Sequence, residues 1–525
     1  MIRKRIEKLI RESLEIKDIE IKIERPSNKE YGDYSSNIAM VLSKILNEHP
    51  LKIAERIRSK IEDKSPKIFE KIVVEKPGFI NFYLKKEYLQ DKLKEILKKK
   101  EKFFKLNIGK GKKVQVEFIS ANPTGPLTIG NGRGGFLGDV LSNILEEVGY
   151  KVTREYFIND KGEQIKKLGF SVLNPKKGVY KGEYIEEIRK KLKKDLKKMS
   201  LEKAGERAGK IILNEMIKPS IKRMGIKFDK WFSESSLYKS KLVDKVIKIL
   251  KDRKLVYEKN KALWFRSKKF GDDKDRVLIK KNKEHTYFLS DIAYHWDKFK
   301  IRKFDKVIDI WGADHFGYVK RVIAAKKALK IKGELKIIIT QLVKLFKNGK
   351  EIRMSKRKGT FITLDELIKE VGVDVSRFLF LSRSPDTHLD FDLDLAKEES
   401  KKNPVYYIQY AYARIKNILK KSKYKDSEIF KADFRLLNHK YEIELIKQLL
   451  RFNEVIEDIV YDYQVHRLCY YTLELVSIFH KFYETCRVIS EDKKITLSRL
   501  ALVKSTEIIL KKSLDIMGIS TPSRM

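Results

Sequence analysis

Cysteine is nearly absent from this chain of 525 residues: only Cys469 and Cys486 occur, and neither belongs to a Cys-x-x-Cys pair or a Cys/His cluster. A disulfide framework and a structural zinc site are thereby excluded as organising elements, which suits a reducing compartment. No uninterrupted apolar run approaches the roughly 20 residues that span a bilayer. A signal-peptide core is missing too, because Ile2, Ile6, Leu9, Ile10 and Leu14 recur at helical spacing among charges and predict an amphipathic helix. Sequence repeats and low-complexity tracts are also lacking. The expectation is a soluble, cytoplasmic monomer with no membrane partner and no protein-held metal.

Acids are the minority charge: 73 Asp and Glu stand against 117 Lys and Arg, a formal net charge of +44. Such an excess argues for a polyanionic partner, because neutralising phosphates releases counterions. The lysines run along the whole chain, however, so a lysine-rich, solvated surface accounts for the excess equally well. The length exceeds what one hydrophobic core organises and implies roughly three or four domains.

Periodicity divides the chain into three regions. Residues 1–105 mix helical spacing (2–14, 51–62, 87–100) with a strand-like run, Phe79 to Leu84, and predict an α+β N-terminal domain. The lysine-dense stretch Lys98–Lys102 reads as a linker or exposed helix end. Residues 106–395 alternate apolar runs (114–119, 152–158, 307–311, 335–339) with helical patterns, the mark of a mostly parallel, Rossmann-type α/β sheet. Within them, 165–260 reads as an insertion of largely charged helix. Residues 396–525 hold no strand-like run, and helical periodicity in 405–419, 441–460 and 497–514 predicts an all-α bundle.

The loop Ser120-Ala-Asn-Pro-Thr-Gly-Pro-Leu-Thr-Ile-Gly-Asn-Gly-Arg133 follows the apolar run ending at Ile119 and leads into a helical pattern, Phe136 to Val148. Strand, glycine-bearing loop and helix in that order aim free N–H groups and a helix dipole at an anion. The spacing fits neither the dinucleotide G-x-G-x-x-G pattern nor the phosphate loop ending in Gly-Lys-Ser/Thr. A second element, Glu351-Ile-Arg-Met-Ser-Lys-Arg-Lys-Gly359, packs cations onto a loop that ends in glycine. Alone it is a basic loop like many others; it also suits a clamp on a triphosphate.

Together the two loops resemble the His-x-Gly-His and Lys-Met-Ser-Lys signatures of class I aminoacyl-tRNA synthetases, in the form carried by arginyl-tRNA synthetases. Both signature histidines are replaced, by Thr128 and Asn131, and Arg353 and Lys356 take the two lysine positions. The resemblance extends through Tyr31–Asn37 and Pro77–Asn81, Arg154–Asp160, Trp231–Ser236, Gly271–Arg276, Thr286–Asp291, Trp311–Gly317, Asn403–Arg414 and Met517–Met525. It implies an arginine–tRNA ligase that joins arginine and ATP into arginyl-adenylate and passes the arginyl group to the 3′ end of tRNA(Arg). It further implies that tRNA must be bound for activation and that Mg2+ accompanies ATP.

Activation is attack of a carboxylate on the α-phosphorus, a reaction helped by positioning and by fixed donors and cations. Thr128 retains an O–H donor and Asn131 an N–H₂ donor, neither dependent on pH. By resemblance these two act with Arg353 and Lys356, and with Lys358 in reach, on the phosphates. Gly130 and Gly132 admit ATP to the backbone, and Met354 and Ser355 belong to its binding loop. Asp314, in the Gly312-x-Asp position, accepts from the ribose hydroxyls. His315 beside it fits a ligand-facing or a core position equally.

A planar guanidinium calls for bidentate carboxylates. The resemblance places Glu234 and Asp291 around it with the Tyr287 hydroxyl beside them, and gives the α-amino and carboxylate end to Glu117 and Asn122. Asp291 sits in an otherwise apolar stretch, so its burial calls for a partner. For tRNA, Asn81 is placed at a D-loop base, and Tyr407, Tyr410, Tyr483 and Met525 at anticodon contacts; tyrosines at helical spacing serve a core as readily as an RNA platform. One rival is a non-catalytic tRNA-binding paralogue that lost activation together with its histidines. Against it stand Lys356, Gly130, Gly132 and the arginine-site set.

Overall fold

The apolar runs of the middle region form one parallel sheet whose strands lie in the order Glu334–Thr340, Lys306–Gly312, Lys113–Glu117, Lys151–Ile158, Lys230–Ser233. The computed structural model describes residues 1–14, 19–64, 67–193, 195–352 and 362–525. Strand order reverses between Lys113–Glu117 and Lys306–Gly312, and a doubly wound sheet opens its ligand crevice at that switch point. The helix Ile129–Glu147 returns from the first strand. It is buried on nearly every side, with Phe136, Val140, Leu141, Ile144 and Leu145 in the core and the buried Asp139 paired with Arg377. Its glycines let it approach the sheet: a Cβ at Gly138 would lie 2.2 Å from Phe118 Cγ.

The segment 165–260 is less purely helical than its charge suggests. Lys230–Ser233 is the fifth strand of the central sheet, and Val256–Lys259 opens a separate antiparallel sheet with Ala262–Phe265 and Arg276–Ile279. Each run is four residues long and set among charged residues, too short a window for a period of two to register. A third small sheet joins Lys350–Ile352, Val343–Lys347 and Leu389–Asp392.

The N-terminal strands Tyr34–Ser36, Phe79–Leu84 and Phe69–Glu75 form an antiparallel sheet covered by helices Ile2–Ser13, Ile38–Leu46 and Pro50–Lys64. Beyond residue 396 the described chain is helical, and Pro404–Ser422, Lys440–Asp462, His466–Thr485 and Lys493–Met517 pack into a bundle. The helix Lys86–Lys99 lies against this bundle, and the Tyr34 hydroxyl donates to Glu454 at 3.0 Å, so the first region is docked on the last. Arg377, almost wholly buried, donates to Asp139 Oδ2 (2.6 Å), the Met517 carbonyl (3.0 Å) and the Met224 carbonyl (2.8 Å). One guanidinium thus ties the helix behind the crevice to the end of the bundle.

Candidate active site

The crevice begins where Lys113–Glu117 leaves the sheet. Ile119 and Ser120 both adopt positive φ, +65° and +36°, conformations that a β-branched residue seldom takes and that concentrate at functional sites. The chain then caps the helix Ile129–Glu147 with Thr128. The two signature positions bind each other: the Thr128 N–H donates to Asn131 Oδ1 at 2.9 Å and the Thr128 hydroxyl to the same oxygen at 3.0 Å. Of the two donors expected to face phosphate, the Thr128 hydroxyl is therefore already spent. Asn131 Nδ2 makes no hydrogen bond among the described residues. Gly130 is exposed and open, with nothing nearer to an added Cβ than Thr128 Oγ1 at 3.9 Å. Gly132 is buried, and an added Cβ would come within 2.7 Å of Leu364 Cδ1, so close packing of this helix by itself requires a glycine there.

Across the crevice the two acids expected around a guanidinium come together. Glu234, 3% exposed, opens the short helix Glu234–Lys239 after the edge strand. Asp160 fastens that turn by accepting from the Ser235 N–H (2.9 Å) and hydroxyl (3.0 Å). With its nitrogen turned toward the acid, the Asn159 amide donates to Glu234 Oε2 at 2.8 Å and to the Lys161 carbonyl at 3.0 Å. Burial pushes the Glu234 carboxyl up to about 7, with Asp291 nearby adding to the rise and the Ser290 hydroxyl bond opposing it. Asp291, on the helix Tyr287–Trp296, accepts from the Tyr318 hydroxyl, and burial holds its carboxyl above the usual range. Tyr287 is 44% exposed, with its hydroxyl bonded to the backbone of Glu163 and Gln164 and within the field of Glu234.

A raised folded value means that the neutral acid is the form the fold prefers. The contribution of Glu234 to stability is fully present below its unfolded value near 4.3, and is lost as pH rises through about 7. A guanidinium reverses that loss by favouring the carboxylate. L-arginine is thus expected to raise the melting temperature far more at pH 8 than at pH 5.5. Glu234→Gln should flatten the difference, and calorimetric or fluorimetric melts with and without arginine read it out.

Glu117 is placed differently from a free ligand for an ammonium group. It is 7% exposed, its Oε2 accepts from Lys298 Nζ at 2.7 Å, and its Oε1 accepts from the Ser120 hydroxyl at 3.0 Å. Burial raises its carboxyl, with Lys298 pulling it down.

On the nucleotide side, Gly312 ends the second strand of the switch point and Asp314 follows in the turn Ala313–Tyr318 with its side chain 81% exposed. His315 is exposed as well, which removes the core alternative. Arg353, Met354, Ser355, Lys356 and Lys358 lie outside the described residues. The flanks of their loop are placed: Lys350–Ile352 pairs with Val343–Lys347 on entry, and Thr363 bridges Thr128 on exit, with the Leu364 N–H donating to the Leu127 carbonyl at 3.0 Å. The chain that follows the second signature therefore runs beside Thr128.

The residues assigned to tRNA fall at two other surfaces. Asn81 is buried within its strand and lines a cavity of about 610 Å³ with Tyr31, Ser35, Asn37 and Phe79; no side-chain hydrogen bond engages its amide among the described residues. On the bundle, the Arg414 guanidinium lies between the rings of Tyr410 (4.7 Å) and Tyr483 (5.0 Å). Tyr407 packs on His480 at 5.1 Å, and Met525 is 54% exposed at the chain end. Tyr412, within the same tyrosine-rich run, is core.

Several residues that shape the site carry no assigned role in the sequence: Asn159, Asp160 and Ser290, within stretches that bear the resemblance, and Tyr318, Lys298 and Asp309 outside any singled-out position. Asp309 carried a usable signal. It is an acid within the apolar run Val307–Trp311, open to the same argument that singled out Asp291. Lys298 carried none among so many lysines.

A parallel five-stranded sheet with a capped glycine-rich helix at its switch point and an all-α C-terminal bundle is the architecture of the class I aminoacyl-tRNA synthetases, and the catalytic-domain model of that class matches residues 92–392. Three family models match the chain: the arginyl tRNA synthetase N-terminal domain over residues 1–84, the class I (R) tRNA synthetase catalytic domain over 92–392, and the DALR anticodon binding domain over 408–525. The arginine–tRNA ligase of Carboxydothermus hydrogenoformans is 44% identical, covering 97% of this chain and 95% of its own length. That of Aquifex aeolicus is 39% identical with both chains covered in full. The solved arginyl-tRNA synthetase of Thermus thermophilus, 22% identical, shares the fold over the whole of both chains at a TM-score of 0.82. The chain belongs to the arginyl-tRNA synthetases.

Proposed function

We propose the following division of labour in the arginine–tRNA ligase reaction of this family, in which arginine and ATP give arginyl-adenylate and pyrophosphate before transfer to tRNA(Arg). The observation that carries it is the convergence of Glu234 and Asp291, two acids raised by burial and without an ion pair among the described residues. Such a pair is costly when empty and is relieved by a guanidinium. Tyr287 flanks the same ligand, while Asn122 and Glu117 take its carboxylate and α-ammonium end.

ATP lies between the two signature loops. The Asn131 amide nitrogen faces the phosphates from the helix N-terminus and Gly130 lets the nucleotide approach. Asp314, following Gly312, receives the ribose hydroxyls. Arg353 and Lys356, with Met354 and Ser355 in the same loop, close on the phosphates, and Mg2+ arrives with ATP. Nothing observed favours the non-catalytic alternative.

The regions 1–105, 106–395 and 396–525 are proposed as the tRNA-contacting N-terminal, catalytic and anticodon-binding domains of a cytoplasmic monomer. Among the described residues no helix is long and apolar enough to cross a membrane. Asn81 is proposed to meet a D-loop base in its cavity. Tyr407, Tyr410, Tyr483 and Met525 are proposed to meet splayed anticodon bases, where stacking on aromatic faces supplies affinity. ATP–pyrophosphate exchange tests the assignment. Exchange that depends on arginine and on added tRNA(Arg) supports it; exchange driven better by another amino acid, or none with tRNA present, defeats it.

Deleting Ser523–Met525 should leave the bundle folded, since a chain end contributes little to a core. Charging should weaken through the KM for tRNA by about 5- to 150-fold, the value of one stacked base, with arginine and ATP binding intact. Aminoacylation kinetics together with a melting curve separate loss of an RNA contact from loss of core.

A further inference from the structure

Beneath the crevice lies a polar cluster that the roles above leave unused. Lys298 is wholly buried, on the π-helical turn Asp297–Ile301 that extends the helix bearing Tyr287 and Asp291. Its ammonium donates to Glu117 Oε2 at 2.7 Å and to Asp309 Oδ1 at 2.8 Å, and lies 4.2 Å from the centre of the Tyr294 ring. The second oxygen of Asp309 is 2.9 Å from His295 Nε2, and His295 Nδ1 is 2.8 Å from the Asp291 carbonyl. Glu117 and Asp309 are register partners on the two strands that flank the switch point.

We propose that Lys298 is a positioning residue for amino-acid binding: it locks the Glu117 carboxylate so that arginine is held by its α-ammonium group. This rests on the reading that Glu117 meets that group. Three features support it. Lys298 is completely shielded from solvent, so it acts through Glu117 and not on the ligand. Its ammonium is shared with Asp309 and engages Oε2 of Glu117, which orients the carboxylate and leaves Oε1 to the hydroxyl of Ser120, a residue of the loop that opens the crevice. A buried ion cluster contributes little net stability compared with apolar packing, so its presence is better explained by orientation than by stability. Through His295 the same cluster touches the backbone of Asp291, which joins the two ends of the arginine pocket.

The test compares binding of L-arginine with that of 5-guanidinopentanoic acid, which is arginine without its α-amino group, to the full chain by titration calorimetry. In the parent protein arginine binds the tighter, and the ratio of the two dissociation constants measures α-ammonium recognition. Lys298→Met is expected to reduce that ratio by about tenfold or more, the weight of a charge-assisted hydrogen bond, while the deamino analogue binds nearly as before. Adding Glu117→Gln to Lys298→Met should lower the ratio no further. A ratio within about twofold of the parent's in Lys298→Met, when Glu117→Gln alone lowers it, overturns the proposal and leaves the reading of Glu117 standing; equal weakening of both ligands overturns it in the same way. A ratio untouched by Glu117→Gln overturns both. If Lys298→Met does not fold, Asp309→Asn, which frees Lys298 from its other anchor, reads the same ratio: a fall supports the proposal and constancy overturns it.

Discussion

Asp291→Asn is expected to raise the KM for arginine about 30-fold or more with ATP binding nearly unchanged, because a buried charge pair truncated on one side loses on the order of 2 kcal/mol or more. The Tyr318 hydroxyl already donates to the native carboxylate. In the Asn variant that hydroxyl still finds an oxygen, so folding is spared, but an N–H₂ group now shares the site with a guanidinium that has only donors. Glu234→Gln should act in the same direction. Its carboxyl is oriented by Asn159 and Ser290, and replacing it also removes the pH dependence of arginine binding near 7. Pyrophosphate exchange at varied arginine and fixed saturating ATP and tRNA measures both effects. Values within about twofold of the parent for both variants, well short of a lost charge-assisted pair, would place the guanidinium elsewhere.

Much of this arrangement was legible in residue order because it rests on periodicity and on the cost of burying charge. Four of the five central strands announce themselves as apolar runs. The fifth, Lys230–Ser233, is four residues at the sheet edge, where one covered face and a lysine start leave too little pattern. Burial logic found Asp291 from its apolar surroundings, and the same logic applied to Asp309 would have pointed to the cluster under the crevice. Other features depend on which partner each group finds in three dimensions. The sequence supplies an inventory of donors, but nothing in it tells that the Thr128 hydroxyl is consumed by Asn131, or that Leu364 and Phe380 pack where a side chain at Gly132 would lie. Lys298 is chemically identical to dozens of solvated lysines until the π-helical turn carries it between Glu117 and Asp309.

The mutual bond at the signature positions leads to unequal roles for the two residues that replace histidine. Both the N–H and the hydroxyl of Thr128 converge on Asn131 Oδ1, at 2.9 and 3.0 Å, which fixes the amide by its oxygen and leaves Nδ2 as the end available to a ligand. Asn131→Ala should therefore slow adenylate formation by about 10²–10³, the scale of one lost transition-state donor. Thr128→Val removes only the hydroxyl that orients it, a net hydrogen bond of about 1–1.5 kcal/mol, so the loss should stay near tenfold. Neither group titrates near neutrality, so the single-turnover rate at saturating substrates should show no histidine-like step at these positions between about pH 5 and 8. Rapid-quench measurement of adenylate in the presence of tRNA distinguishes the cases. A Thr128→Val defect equal to or larger than that of Asn131→Ala would make the threonine hydroxyl the direct donor. Parent rates in both would remove the phosphates from this helix start, and the Thr128–Thr363 bridge would then matter only for seating the start of the helix Leu364–Val371.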